Sequence, residues 1–515
     1  MSDFRSAPGR FVEWGRTDGT FSNFEFVDTS FGSHPILRRI LSLARKLNYG
    51  GLLIEAIDES DCALLAEENA ALARRLPAFR SASVTRLSFF AGTRKEAPGA
   101  FLGYAIFRQD AHTGAIPTFT HVFEAVLRMP RGRKANNFVH CQRDYQVSTS
   151  LGQFTVRGVL YAQQNDATSV CAHVALRSLL ACLLPQGDIT YAEINRLAGV
   201  DHGDPATCIG GRGITGHSRG LNSPQIESIL RQLGLAADFT VHEPKQPALN
   251  AMLPDGVEFQ RLLYGTLESG PPVLLGFELT PNPPTGDSGR HIIPIFGHTF
   301  NEDLWVPEAE RAYFQHNRGY FPSESWLSTH LAHDDNFGPY VCLPRHYLHR
   351  DQFRLLVSCT TSLTVVAAGE AEALAFDFVT ASTARLPVTQ IPWLDRMVAF
   401  ARAGLLVLRT LAVDSVAYRS HLESLRDREG FDLEAATVDE IVRALPQRFW
   451  LVEISAPELF PASRRKFGEV LIDSDQVIGQ TSVLAFRAPG LVFVKGVAQR
   501  TRLAGHTDIM SLSTD

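Results

Sequence analysis

The stretch YAQQNDATSVCAHVALRSLLACLLP, residues 161–185, decides the fold prediction for this chain. A polar run of Gln, Asn and Asp leads to Cys171, and apolar residues then recur at close to helical spacing. This pattern predicts a helix whose first turn contains Cys171. Unpaired N–H groups and the dipole at a helix start favour negative charge, so a thiol there ionises more easily and becomes a better nucleophile.

Two amide side chains precede this cysteine in the polar run. Gln163 and Gln164 lie eight and seven residues before Cys171. An amide beside a thiol nucleophile can donate a hydrogen bond to the oxyanion of a tetrahedral intermediate, and the backbone N–H of the nucleophile can supply a second donor. Either glutamine is therefore a candidate oxyanion donor.

This arrangement resembles the papain-like cysteine peptidases, and most closely the branch that processes bacteriocin leaders. The resemblance covers about residues 149–350, and it selects Gln164 as the oxyanion donor. It departs from that branch in two ways, because Ala172 stands where a glycine is usual and the spacing from Gln to Cys is slightly longer. The implied fold is α+β, with a helical lobe beside an antiparallel sheet lobe.

Two helices predicted after the cysteine helix are similar to the left lobe of such peptidases. Residues 188–200 open with a capping box from Thr190 to Glu193. Residues 220–239 have Ser223 as the expected N-cap and Pro224 at the first helical position.

A thiol hydrolase needs a general base near the nucleophile. PPVLLGFEL (271–279) predicts a buried strand, and GRHIIPIFGHTFNEDLWVP (289–307) follows a polar loop. In the family the catalytic histidine begins a strand of apolar residues that ends at a glycine, which selects His291, with His298 as the alternative. Pro294 inside this strand predicts an edge or a bulge.

The third member of the triad orients the imidazole. The family position for this residue falls at Pro307, which cannot serve. Asn301 or Asp303 could substitute, or an insertion at about 304–330 displaces the residue to the HDDN turn. The second reading selects Asp334, with Asp335 as an alternative. His333, Asp334 and Asp335 are too close in sequence to form a complete metal site by themselves.

The flanking regions predict two further domains. Residues 1–148 form an N-terminal α/β domain, in which LGYAIFR (102–108) is similar to a strand of N-acetyltransferase folds. Residues 149–350 form the papain-like domain. Residues 351–515 form a C-terminal α/β domain, with a helical run over 393–413 and a strand at 448–455. No internal repeat is apparent.

The composition is that of a globular protein, with 45% hydrophobic and 20% charged residues and a net charge of -6. No basic excess indicates a nucleic-acid partner. No signal peptide and no apolar run of membrane-spanning length is evident, so we expect a cytoplasmic protein with no membrane partner. The seven cysteines include no CxxC pair, which predicts neither a disulfide framework nor a zinc site. No cofactor is expected, and the sequence does not indicate the oligomeric state.

Three functions fit these observations. The first is a cysteine peptidase that hydrolyses a peptide or isopeptide bond of a protein substrate with Cys171, His291, Asp334 and Gln164. The second is an acyl transferase or amidase with the same Cys-His-Asp logic. The third is an inactive relative that serves as a binding protein.

Overall fold

A computed structural model gives the arrangement of the chain. It describes residues 9–13, 23–58, 62–75, 79–112, 119–129, 136–165, 171–200, 221–241, 256–278, 290–301, 319–345, 353–360, 368–382, 392–426, 434–460, 465–475, 482–489, 491–496 and 509–510. Within these ranges no helix combines the length and the apolar character needed to cross a bilayer.

The first sheet follows chain order, and each neighbouring pair of its strands is antiparallel. Its elements are β1 (Arg10–Glu13), α1 (Asn23–Phe31), α2 (Pro35–Lys46), β2 (Gly51–Ala56), α3 (Ala63–Arg75), β3 (Phe79–Phe90), β4 (Phe101–His112) and β5 (Phe119–Leu127). A hairpin of β7 (Arg143–Thr149) and β8 (Gly152–Gly158) packs against it. Helix α2 begins at Pro35, and His34 caps it through a hydrogen bond from the Leu37 amide.

The second sheet is antiparallel throughout and has the strand order β14-β13-β11-β10-β15-β9, with the short β6 paired to β11. Its strands are β6 (Asn136–Phe138), β9 (Ala236–Val241), β10 (Val273–Glu278), β11 (Arg290–Phe300), β13 (Leu327–Asp334), β14 (Gly338–Pro344) and β15 (Phe353–Thr360). The helices that accompany it are α4 (Cys171–Leu183), α5 (Tyr191–Ala198), α6 (Ser223–Gln232) and α7 (Gly256–Glu268).

The third sheet has the order β12-β16-β17-β19-β20-β21, antiparallel except for the parallel pair β12 and β16. Its strands are β12 (Tyr320–Pro322), β16 (Leu406–Asp414), β17 (Arg448–Ser455), β19 (Gly468–Asp473), β20 (Val483–Ala488) and β21 (Leu491–Val494). Its helices are α8 (Ala368–Asp377), α9 (Pro392–Arg402), α10 (Ser415–Arg426) and α11 (Ala435–Arg443), and β18 (Arg465–Lys466) pairs with β22 (Ile509–Met510). Helices beside antiparallel sheets confirm the α+β prediction.

Sheet membership crosses the predicted domain boundaries at three places. Strand β6, which precedes residue 149, joins the second sheet by pairing with β11. Strand β15 follows residue 350, yet it lies between β10 and β9 in the second sheet. Strand β12 lies within 149–350 but pairs with β16 of the third sheet. The three regions are therefore interleaved through their strands.

Two local predictions are wrong. The run over 393–413 is not one helix, because α9 ends at Arg402 and β16 begins at Leu406. Gly404 takes a φ of 68° in the turn between them, a left-handed conformation that ends the helix. Helix α6 is capped by Asn222 rather than Ser223, since the Asn222 side chain and Gln225 form a reciprocal capping box. By contrast, Thr190 caps α5 as predicted.

The first and third sheets share the same order of elements. In the first, α1 and α2 precede β2, α3 follows it, and β3, β4 and β5 then pair antiparallel in succession. In the third, α8 and α9 precede β16, α10 and α11 follow it, and β17, β19 and β20 then pair antiparallel in succession. The helix before the first of these strands reads PILRRILSLAR over 35–45 and PWLDRMVAFAR over 392–402. The two helices have identical Pro, Leu, Arg, Ala and Arg residues at matching positions, so Arg39 corresponds to Arg396.

A buried chain of alternating charges joins the second and third sheets. Glu268, the last residue of α7, contacts both His298 of β11 and Arg409 of β16. Burial raises the pKa of Glu268, but the charge of Arg409 and the contact with His298 outweigh it and hold the pKa well below its usual value. Further ion pairs continue from Arg409 through Glu453, Lys466, Glu469 and Arg487.

We expect Glu268→Gln to destabilise the protein by about 3–5 kcal/mol, because it leaves the buried Arg409 without its charged partner on α7. The measurement is the free energy of unfolding from urea denaturation. The control is Glu193→Gln, which removes an exposed pair with Arg196 and should cost about 0.5 kcal/mol or less. Equal effects of the two substitutions would contradict the prediction.

Candidate active site

Cys171 is the first residue of α4, and its side chain is partly exposed. The helix behind it is buried on all sides, since each side chain from Ala172 to Ala181 is buried. Arg177 anchors it, with Nη2 at 2.6 Å from a Glu124 oxygen on β5 and 2.8 Å from an Asp188 oxygen. A rigidly packed helix therefore presents its N-terminus, where negative charge is favoured, at the position of the thiol.

His291 is the second residue of β11 and is buried, with 6% of its surface exposed. It pairs with Phe277 across the β10–β11 ladder, and the two rings meet edge to face with centroids 5.3 Å apart. Helix α4 packs against β11. This packing brings the start of the helix to the start of the strand.

The imidazole of His291 stands between the thiol and two carboxylates. The Cys171 thiol is close enough to help raise the pKa of the ring. Its Nε2 lies 3.4 Å from Oδ1 of Asp334 and 3.2 Å from Oδ1 of Asp335. Because Nε2 faces the carboxylates, Nδ1 is the ring nitrogen left to serve the thiol. The structure thus brings three of the predicted residues together in the order Cys171, His291, Asp334, with Asp335 beside them.

The surroundings of His291 favour its charged form. Burial lowers the pKa of His291, but the hydrogen bonds to Asp334 and Cys171 and the charges of Asp335 and Asp334 outweigh burial and raise the pKa to about 10. The ring therefore carries a proton at neutral pH.

The turn after β13 shapes the acidic side of the site. Oδ1 of Asp334 accepts hydrogen bonds from the amides of Asn336, at 2.8 Å, and Phe337, at 3.2 Å. These bonds fix the Asp334 carboxylate while it faces the ring. The amide nitrogen of the Asn336 side chain also lies 3.3 Å from Nε2 of His291.

The alternatives for base and orienter lie elsewhere or outside the described residues. His298 is on the same strand but faces Glu268, and burial lowers its pKa. Asn301 follows the far end of β11, and at a strand rise of about 3.3 Å per residue it is roughly 30 Å from His291. Asp303 lies outside the described part of the chain.

Gln163 and Gln164 differ in their surroundings. Oε1 of Gln163 accepts a hydrogen bond from the Val122 amide at 2.9 Å, which ties this side chain to β5. Gln164 is partly exposed. Because residues 166–170 between it and Cys171 lie outside the described ranges, the oxyanion role of Gln164 stays a prediction.

Sequence reasoning missed two residues that touch the imidazole. Asn336 belongs to the same HDDN string as Asp334, and this closeness in sequence to the predicted orienting residue could have marked it as a neighbour of the imidazole. Phe277 lies on the preceding strand and meets His291 only through the register of the ladder. No local pattern marks such a neighbour.

His291, Asp334 and Asp335 also place their ligand atoms within 4.8 Å of one another, a spacing that suits a divalent cation. The sequence suggested His333 as the histidine of such a set, whereas in the structure this place is taken by His291. His333 points away from the two aspartates, because its Nδ1 accepts a hydrogen bond from the Tyr340 amide at 3.1 Å.

Comparison of this chain with protein-family models, with curated proteins and with solved structures found no match. The function of this chain is therefore inferred from the geometry of the site.

We expect His291→Ala to slow alkylation of Cys171 by iodoacetamide at pH 7 by about 10- to 100-fold, because it removes the positive charge beside the reacting sulfur. Mass spectrometry of the modified peptides measures the rate. Exposed Cys342 serves as an internal reference whose rate should not change. An unchanged Cys171 rate would show that His291 does not activate the thiol.

Proposed function

We propose that this chain is a papain-like cysteine peptidase that hydrolyses a peptide or isopeptide bond of a protein substrate. The observation that carries the proposal is the position of His291, whose Nε2 faces Asp334 and whose pKa is raised in part by the Cys171 thiol. A cytoplasmic location is part of the proposal, since a reducing compartment keeps a thiol nucleophile free.

The placement of these groups supports a papain-like arrangement. The nucleophile begins a buried helix, the base begins a strand of an antiparallel sheet, and the acidic residue ends a neighbouring strand of that sheet. The helix and the sheet meet at the site. This placement supports the division into a helical lobe and a sheet lobe that the sequence resemblance implies.

Each group has a defined part in the proposed reaction. The Cys171 thiolate attacks the substrate carbonyl carbon and forms a C–S bond, and the carbonyl oxygen becomes an oxyanion. Gln164 and the Cys171 N–H are the proposed donors to that oxygen. Protonated His291 gives its proton to the leaving amine as the C–N bond breaks. Water then attacks the thioester while His291 takes its proton, and the Cys171 thiolate is released as the acid product leaves.

The two other hypotheses differ from this proposal in testable ways. An inactive relative has no need of a histidine that contacts both cysteine and carboxylate, so the site geometry disfavours it. An acyl transferase shares the thioester step and differs only in the acceptor. Product analysis separates the two, because a transferase yields an acylated amine or alcohol when such an acceptor is added, whereas a peptidase yields the free acid.

We expect Cys171→Ala to abolish both the burst of p-nitrophenolate from p-nitrophenyl acetate and the cleavage of a fluorogenic peptide library, a loss of at least about 10³-fold. The control is Cys342→Ala, which removes an exposed thiol and should leave both activities unchanged. Cleavage that survives Cys171→Ala but is lost on treatment with EDTA would replace the thiol mechanism with a metal-dependent one at His291, Asp334 and Asp335.

The alkaline limit of peptide hydrolysis should report the proton on His291. Because the pKa of His291 is raised from 6.5 to about 10, the ring stays protonated up to that pH and can still protonate the leaving amine. We therefore expect the rate to fall as the pH rises through about 10. Asp334→Asn should move this limit to lower pH, because the Asp334 hydrogen bond is one of the causes that raise the pKa. A limit that does not move would exclude Asp334 as the orienting residue.

A further inference from the structure

The catalytic hairpin, defined here as the end of β13, the turn 335–337 and the start of β14, carries both carboxylates that face His291. Its backbone is unusual on the β14 side. Gly338 has a φ of 100° and Tyr340 a φ of 51°. A left-handed conformation at a tyrosine is costly, so surrounding contacts must hold it.

The contacts that hold this hairpin come from the first sheet and its helix α2. Nε of Arg39 donates to the Pro339 carbonyl at 2.7 Å, and Nη2 donates to the Tyr340 carbonyl. The approach is close, because a Cβ at Gly338 would lie 2.9 Å from Cδ of Arg39. One guanidinium therefore clamps two successive carbonyls directly after the acidic turn.

Tyr340 extends the same attachment. Its hydroxyl donates to the carbonyl of Leu127, at the end of β5, at 2.7 Å. Its ring packs edge to face on Phe296 of β11, with centroids 5.6 Å apart. The catalytic hairpin is thus fastened to the first sheet on one side and to the strand of His291 on the other.

We propose that Arg39 is a positioning residue of the active site, and that the N-terminal region serves to hold the orienting carboxylates against His291. This inference rests on the proposed function. The Arg39 guanidinium acts through the Pro339 and Tyr340 carbonyls and sets where Asp334 and Asp335 stand relative to the ring. A displacement of about 1 Å at such a site can cost about 100-fold in rate.

The test compares two substitutions. Arg39→Met removes both donating nitrogens but keeps an apolar stem, whereas Arg39→Lys keeps the positive charge and one donating nitrogen. With p-nitrophenyl acetate and a cleaved library peptide as substrates, we expect Arg39→Met to lower kcat by about 10- to 100-fold with KM within about twofold. Arg39→Lys should recover part of the loss. A role limited to stability would lower the amount of folded enzyme without this split between kcat and KM.

Two arginines provide matched controls. Arg38 directly precedes Arg39 on α2 and pairs with Asp28 at the surface. Arg396 holds the corresponding place on α9, where it lines a cavity of about 190 Å³ in the third region. Arg38→Met and Arg396→Met should each leave kcat unchanged.

Amide hydrogen exchange separates failure of this inference from failure of the proposed function. Arg39→Met should speed exchange of the Asn336 and Phe337 amides, which are bonded to Asp334, while Arg38→Met should not. Unchanged exchange in the hairpin overturns the inference even if the wild type hydrolyses nothing. Faster exchange with an unchanged kcat overturns it as well. Absence of a Cys171 acyl-enzyme in the wild type, by contrast, sinks the proposed function.

Discussion

The centre of this protein depends on one buried imidazole, that of His291, which faces two carboxylates and has the Cys171 thiol near it. His291 holds its proton because Asp334, Asp335 and Cys171 together outweigh the cost of burial. A charged ring in that place requires a helix N-terminus, a strand and a hairpin to come close together. Each of these elements is accordingly fixed by contacts that extend well beyond the site.

The fixing contacts are long-range, and two of the three are buried ion pairs. Arg177 ties the helix of Cys171 to Glu124 on the first sheet. Arg39 ties the catalytic hairpin to the first region, and Glu268 links the strand of His291 to Arg409 of the third sheet. Removing one partner of such a pair leaves the other charge buried and uncompensated, which costs more than an exposed pair is worth. We therefore expect the candidate site to be sensitive to substitutions far from the thiol.

The first and third regions, which share strands with the second sheet, differ in what they contribute to the candidate site. The first and third sheets share an order of elements and a similar helix before one strand, yet the two helices are used differently. In the first, Arg39 reaches out and clamps the catalytic hairpin. In the third, Arg396 borders a cavity beside Phe400 and Phe467. A shared framework has thus been put to two uses, one of which acts on the proposed catalytic centre.

The sequence by itself determined the elements whose signals are local. Apolar spacing and a polar cap predicted the helix of Cys171 and that of Thr190, while the strand of His291 was expected from the family resemblance. Local signals failed where one pattern fits two structures: the apolar run after Arg402 suits a helix or a buried strand, and only its pairing with β17 made it a strand. The tertiary structure alone decided that Asp335 and Asn336 share the imidazole with Asp334, that β15 belongs to the second sheet, and that Arg39 reaches a hairpin 300 residues away. These features depend on strand register and on packing between distant segments, which short-range patterns of residue type do not encode.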